Sequence, residues 1–199
     1  NVARLHGLET GGALLDLLRP HVTWVGNNYD QLAPEKEDGR LSVEPDGLVG
    51  QLAKARGLRT VGIAGGVEKC AYAVEACGFD ICLDHRAPDF AEALAAATPD
   101  GVDIDFENVG GDVLEAIWPR LNPHARVVVS GLIAQYSLTS PRQGPDLTRL
   151  LKQRIRIQGF IISDYAAEFP AIIGDLAGVL TSGGFNWRPD VTQGLENAP

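Results

Sequence analysis

Three short segments of this sequence combine glycines with polar side chains in a way that suits a bound nucleotide. In the first, a β-branched run over 59–64 ends in Gly65 and Gly66, and Lys69 follows one helical turn later. A fold that holds NAD by its ribose hydroxyls usually places Asp or Glu at that point. No acid stands there, so the ammonium of Lys69 suits a ribose bearing a 2′-phosphate, which distinguishes NADP from NAD. A cation in the first turn of a helix opposes the helix dipole, and a nearby anion would account for it. The alternative is a solvated surface lysine. Arg86, in Leu83-Asp84-His85-Arg86, either assists the same phosphate or is an ordinary surface arginine.

The second segment is Phe106-Glu107-Asn108-Val109-Gly110-Gly111, where paired glycines allow main chain to approach a ligand and open a helix. A tight strand-to-helix turn would also need the glycines, but not Asn108. In the third, Ser130-Gly131-Leu132-Ile133-Ala134-Gln135-Tyr136, a glycine again follows a strand. The phenol of Tyr136 is either a proton donor or an amphipathic packing group.

Bringing these segments to one edge requires parallel strands joined by helices. Apolar, β-branched runs predict strands at 40–43, 59–64, 79–83, 102–106, 126–130 and 156–162. Helical patterns fall at 47–56, 67–77, 89–97, 112–121, 145–151 and 165–181. The alternation predicts an α/β, Rossmann-type doubly wound sheet, mostly parallel and six-stranded, with helices on both faces and the ligand outside the carboxyl ends of the strands. Residues 40–199 would form this NADP-binding domain. Residues 1–39, with a helix at 11–18 before Pro20 and then a polar, turn-rich stretch, read as an N-terminal extension.

The 199 residues are 45% hydrophobic, enough for one well-buried domain. With 26 acidic and 17 basic residues the formal charge is −9, which opposes non-specific binding to nucleic acid or anionic membrane. Cys70, Cys77 and Cys82 are odd in number and lack metal-ligand spacing. They read as small apolar residues in a reducing, cytoplasmic setting, and no metal is expected. No apolar run approaches the roughly 20 residues that span a bilayer. The sequence begins at Asn1 and has no methionine, which reads as a fragment or a processed piece.

Together these segments resemble the zinc-independent medium-chain dehydrogenase/reductases of the alkenal reductase, leukotriene B4 12-hydroxydehydrogenase and prostaglandin reductase group. The likeness runs from about Gly47 to Pro199. It is carried by Gly50-Gln51-Leu52-Ala53-Lys54, Gly62-Ile63-Ala64-Gly65-Gly66, Glu68-Lys69-Cys70, the stretches 106–111 and 131–136, Gln158-Gly159-Phe160-Ile161 and Gly194-Leu195-Glu196-Asn197-Ala198-Pro199. The resemblance implies NADPH-dependent reduction of the carbon–carbon double bond of α,β-unsaturated aldehydes and ketones, with hydride delivered to the β-carbon and no metal. It implies that Gly66 and Lys69 contact the 2′-phosphate, that Asn108 and Gly131 contact the cofactor, and that Phe160, Ile161 and Ile162 line the nicotinamide region. Gly50, Gly65, Arg86, Val109, Leu132 and Ile133 complete the candidate cofactor-binding set. His85 belongs to it as well, where the group commonly has a tyrosine near the adenosine. Tyr136 would stabilise or protonate the enolate.

The sequence departs from the group in two places. Val43 and Asp46 stand where two further glycines are expected ahead of Gly50, and a β-branched residue and a carboxylate both oppose approach of a pyrophosphate. The GroES-like catalytic domain of the group is not evident. A catalytically inactive nucleotide-binding or dimerisation module, and an NADPH quinone reductase, are the competing readings. The resemblance also implies a homodimer through the edge strand near 156–162.

Overall fold

Short β-branched runs flanked by glycine turns become strands here, buried most fully at Arg59–Ala64 and left exposed in the edge strand at Arg156–Gly159. The computed structural model describes residues 23–27, 47–159, 161–181, 183 and 185–186. Among them six strands form one sheet: β1 (Thr23–Asn27), β2 (Arg59–Ala64), β3 (Ile81–Asp84), β4 (Val102–Glu107), β5 (Leu121–Val129) and β6 (Arg156–Gly159). The spatial order is β3-β2-β1-β4-β5-β6, and every neighbouring pair is parallel. Strand order reverses between β1 and β4, which opens a crevice at their carboxyl ends. The helices are α1 (Leu48–Ala55), α2 (Val67–Glu75), α3 (Phe90–Ala97), α4 (Gly111–Ile117), α5 (Ile133–Tyr136), α6 (Leu147–Gln153) and α7 (Phe169–Thr181).

The first strand corrects the sequence reading. It lies at Thr23–Asn27, inside the stretch assigned to an extension, and it pairs with both β2 and β4. The strand expected at 40–43, with Val43 and Asp46, falls outside the described residues, as does the helix expected at 11–18. At the other end β6 stops at Gly159, whose register partner is Val129, the last residue of β5. Residues Ile162–Glu168 turn into a 3-10 helix instead of continuing the strand to 162.

The core has two parts. Val61, Ile63, Leu94, Val102, Ile117, Leu121 and Val127 belong to one cluster, and Ala53, Leu58, Ala73, Cys77 and Phe79 to the other. Phe79 fills space that two glycines vacate. A Cβ on Gly50 would lie 1.9 Å from Phe79 Cζ, and one on Gly62 would lie 3.0 Å from its Cδ1. Burying the ring contributes about 2–3 kcal/mol, so a side chain at Gly50 works against a large term.

The chain after α7 is fastened to α1. Gln51, buried on that helix, donates from Nε2 to the Asn186 carbonyl at 2.9 Å and accepts from the Asn186 N–H at 2.8 Å. The Asn186 side-chain amide donates to the Ala76 carbonyl just past α2. Among the described residues, no helix is long and apolar enough to cross a membrane.

Candidate functional site

The carboxyl ends of β4 and β5 are tied into one turn. Glu107, the last residue of β4, has no exposed surface, and its Oε1 accepts from the N–H of Val109 at 2.7 Å and of Gly110 at 2.8 Å. These donors stand where α4 begins, so the carboxylate takes up main-chain groups that the helix leaves without partners. The Glu107 carbonyl accepts from Ser130 and Gly131 at 2.8 and 3.1 Å, and the Asn108 carbonyl accepts from Ile133 at 3.0 Å. Gly110 and Gly111 have φ of 73° and 58°, a region that side chains disfavour. A Cβ at Gly110 would also sit 3.0 Å from Gln135 Nε2.

This arrangement sorts the sequence-derived candidates. Asn108, Val109, Gly131, Leu132 and Ile133 gather around the joined turn. The side chains of Val109 and Ile133 pack into the core, and their N–H groups donate to Glu107 and to the Asn108 carbonyl, so both residues hold the turn together. Tyr136 ends α5 with 66% of its surface exposed, and its hydroxyl accepts from the Leu132 N–H at 3.1 Å. With an acceptor lone pair engaged there, the hydroxyl hydrogen points elsewhere. Arg142 follows in the next loop and donates to Glu115 at 3.0 Å and to Asp112, both on α4.

A second turn lies after β2 and β3. Gly66, with φ 98°, precedes α2, and among the described residues nothing lies within 4 Å of where its Cβ would be. Its N–H donates to Asp84 Oδ1 at 2.9 Å, and the same oxygen accepts from the Arg86 N–H at 3.0 Å. The His85 N–H donates to the Ala64 carbonyl at 3.0 Å. The loop of Gly65 and Gly66, which leads into α2 with Lys69 in its first turn, is thus joined to the loop of His85 and Arg86. The N–H of Gly66 holds the Asp84 carboxyl below the usual carboxylate range, against a partial opposing effect of burial, and Arg86 and His85 add to the lowering.

Gly50, Ile161 and Ile162 belong to neither turn. Gly50 lies within α1 against Phe79, and packing accounts for the missing side chain there. Ile161 and Ile162 follow β6 and are well exposed, and Phe160 lies outside the described residues. Among the described residues no group of three or more His, Cys, Asp or Glu side chains is placed to hold a metal ion.

The sequence reading assigned no role to Glu107, Asp84 or Asp105. For Glu107 a signal existed: an acid directly before Asn-Val-Gly-Gly faces the open N–H groups of a helix start. Asp105, on β4, is fully buried, and among the described residues neither carboxylate oxygen has a hydrogen-bond partner. Its register neighbour Val127 is part of the core. Burial, and secondarily the charge of Glu107, push its pKa well above the carboxylate range.

The sequence model of the family described as zinc-binding dehydrogenase matches residues 47–177. The chain is 48% identical over 157 residues to the NADPH-dependent curcumin reductase of Escherichia coli, covering 76% of this chain and 46% of that protein. It is 37% identical over 153 residues to the NADP(+)-dependent 2-alkenal reductase of Nicotiana tabacum, covering 76% and 45%. Among solved structures, CurA of Vibrio vulnificus in complex with NADPH is 42% identical, with a TM-score of 0.76 over 90% of this chain and 51% of that one. The chain therefore spans about half the length of these relatives.

Proposed function

Because this chain belongs to the zinc-binding dehydrogenase family, in its zinc-independent alkenal and prostaglandin reductase group, we propose that it is the cofactor-binding part of an NADPH-dependent enone and enal reductase. The observation that carries this reading is the joined turn of β4 and β5. It gathers Asn108, Gly110 and Gly131 at the carboxyl ends of β4 and β5, next to the switch in strand order, with the Tyr136 hydroxyl close by. This is the setting in which the resemblance puts a nicotinamide and a reducible double bond.

The residues fit NADPH. No described atom lies within 4 Å of where a Gly66 side chain would be, and Lys69, His85 and Arg86 on the adjoining segments are the candidate partners of a 2′-phosphate. When bound, the cofactor supplies a hydride to the β-carbon of the substrate. The protein's own part is to orient and to handle charge. Glu107 and the main-chain bonds of the joined turn hold rigid the strand ends along which the cofactor would lie. Tyr136, whose oxygen already accepts from Leu132, donates its hydroxyl hydrogen toward the substrate oxygen as enolate charge develops.

The finer readings belong to the same proposal. The cytoplasm suits three cysteines that form no disulfide with one another. A homodimer would bury β6, which is exposed along its length and carries Ile157, with Ile161 and Ile162 just beyond it. Light scattering at micromolar concentration gives a dimer if this holds and a monomer if it does not.

Titration calorimetry with NADPH and NADH tests the cofactor. Selective NADPH binding that is lost in Lys69→Ala supports the proposal, and absence of binding to either nucleotide sinks it. Enone-dependent loss of NADPH absorbance, greater than that with quinones, is the expected activity.

A further inference from the structure

The turn at Gly66 is held by a negative charge, in the place where the proposed ligand brings negative charge of its own. Asp84 is the last residue of β3 and stands in register with Ala64, the last residue of β2. Its Oδ1 accepts from Gly66 and from Arg86, so a single carboxylate oxygen joins the turn that opens α2, the helix carrying Lys69, to the loop carrying His85 and Arg86. The link is reinforced by the main-chain bond from His85 to Ala64. Two properties of Asp84 act in opposite directions. As an acceptor it fixes the turn on which the adenosine end would rest. As an anion it repels a 2′-phosphate more strongly than a plain ribose.

Building on the NADPH reading above, we propose that Asp84 is a positioning residue for the adenosine end of the cofactor site, and that its charge sets how strongly the site prefers the 2′-phosphorylated dinucleotide. The Gly66 N–H is occupied by Asp84 and is therefore withdrawn from phosphate binding. Preference for the phosphate then rests on the cationic side chains alone, opposed by the carboxylate between their loops.

Asparagine separates the two properties, since its Oδ1 accepts the same hydrogen bonds without the charge. The test is calorimetric titration of the 199-residue chain and its Asp84→Asn and Asp84→Ala variants with NADPH and NADH at two salt concentrations. Asp84→Asn is expected to tighten NADPH by roughly three- to tenfold and to leave NADH within about twofold, with the gain shrinking at high salt. Asp84→Ala is expected to weaken both nucleotides, because the turn loses its anchor. An unchanged NADPH-to-NADH ratio in Asp84→Asn overturns the charge role, and equal affinities in the two variants overturn the positioning role. Should the alanine variant fail to fold, the asparagine variant still decides the ratio. If the unaltered chain binds neither nucleotide, the NADPH reading itself has failed, which is distinct from a chain that binds NADPH with a ratio insensitive to Asp84.

Discussion

Glu107 and Asp84 do the same local task in different surroundings. Each ends a strand, and each gathers two main-chain N–H groups onto one carboxylate oxygen. Glu107 does so with no exposed surface, beneath a turn stitched to its neighbour by further main-chain bonds. Asp84 does so beside an open glycine at the rim. The comparison separates two kinds of strand end: one built into the core, where geometry is fixed by what would be left unsatisfied, and one near water, where a bound anion can alter it.

The largest effect is expected where that contrast is broken from the buried side. Glu107→Ala strands the N–H groups of Val109 and Gly110 away from water and should lower stability by about 3 kcal/mol, measured by urea denaturation. Glu107→Gln, which keeps an acceptor, should cost clearly less. Equal losses in the two variants would show that the hydrogen bonds are not what matters.

Next in size is Asp105. Its folded pKa is raised, so as pH climbs past about 4 the unfolded chain releases a proton that the folded chain keeps. Stability therefore falls with rising pH, by up to about 1.4 kcal/mol per unit, until the folded pKa is reached. Asp105→Asn should flatten this slope between pH 4 and 7, and Asp105→Val should raise stability at pH 7 by about 1–3 kcal/mol. A slope unaltered in Asp105→Asn would place its origin in another group.

On the rim, Asp84→Ala should cost about 1 kcal/mol or less, because water can take over its hydrogen bonds. Its contribution has the opposite sign with pH: the folded pKa is lowered, so the stabilisation is present above about pH 4 and fades as pH falls through the folded value. Smallest of all is Arg142→Ala. The denaturation midpoint should not move measurably, and faster protease cleavage between 137 and 146 would be its trace.

The sequence reveals strands where local signals coincide. The β-branched run ending in Gly65-Gly66 is β2 to the residue, because its glycines mark both the end of pairing and the turn. β1 has a comparable core, Thr23-Trp24-Val25-Gly26, but it lies among polar and turn-forming residues, and its membership of the sheet depends on pairing with chain some 35 and 80 residues away. Asp103, Asp105 and Glu107 alternate along β4 as a solvent-facing strand would. Only the packing of the core on that face turns two of them into buried acids. The grouping of the candidate cofactor residues could be read from glycines at strand ends. Gly50 could not, since its contact with Phe79 joins two elements that the sequence does not mark as neighbours.

The fastening of Asn186 to Gln51 has a consequence for the order of folding. It closes a loop of 135 residues, so its entropic cost falls due only after the strands between have paired. Contacts that form after the rate-limiting barrier leave the folding rate alone and slow unfolding. Gln51→Ala is thus expected to speed unfolding and to leave the refolding rate within about twofold, so that the late-closing amide governs how long the folded chain lasts.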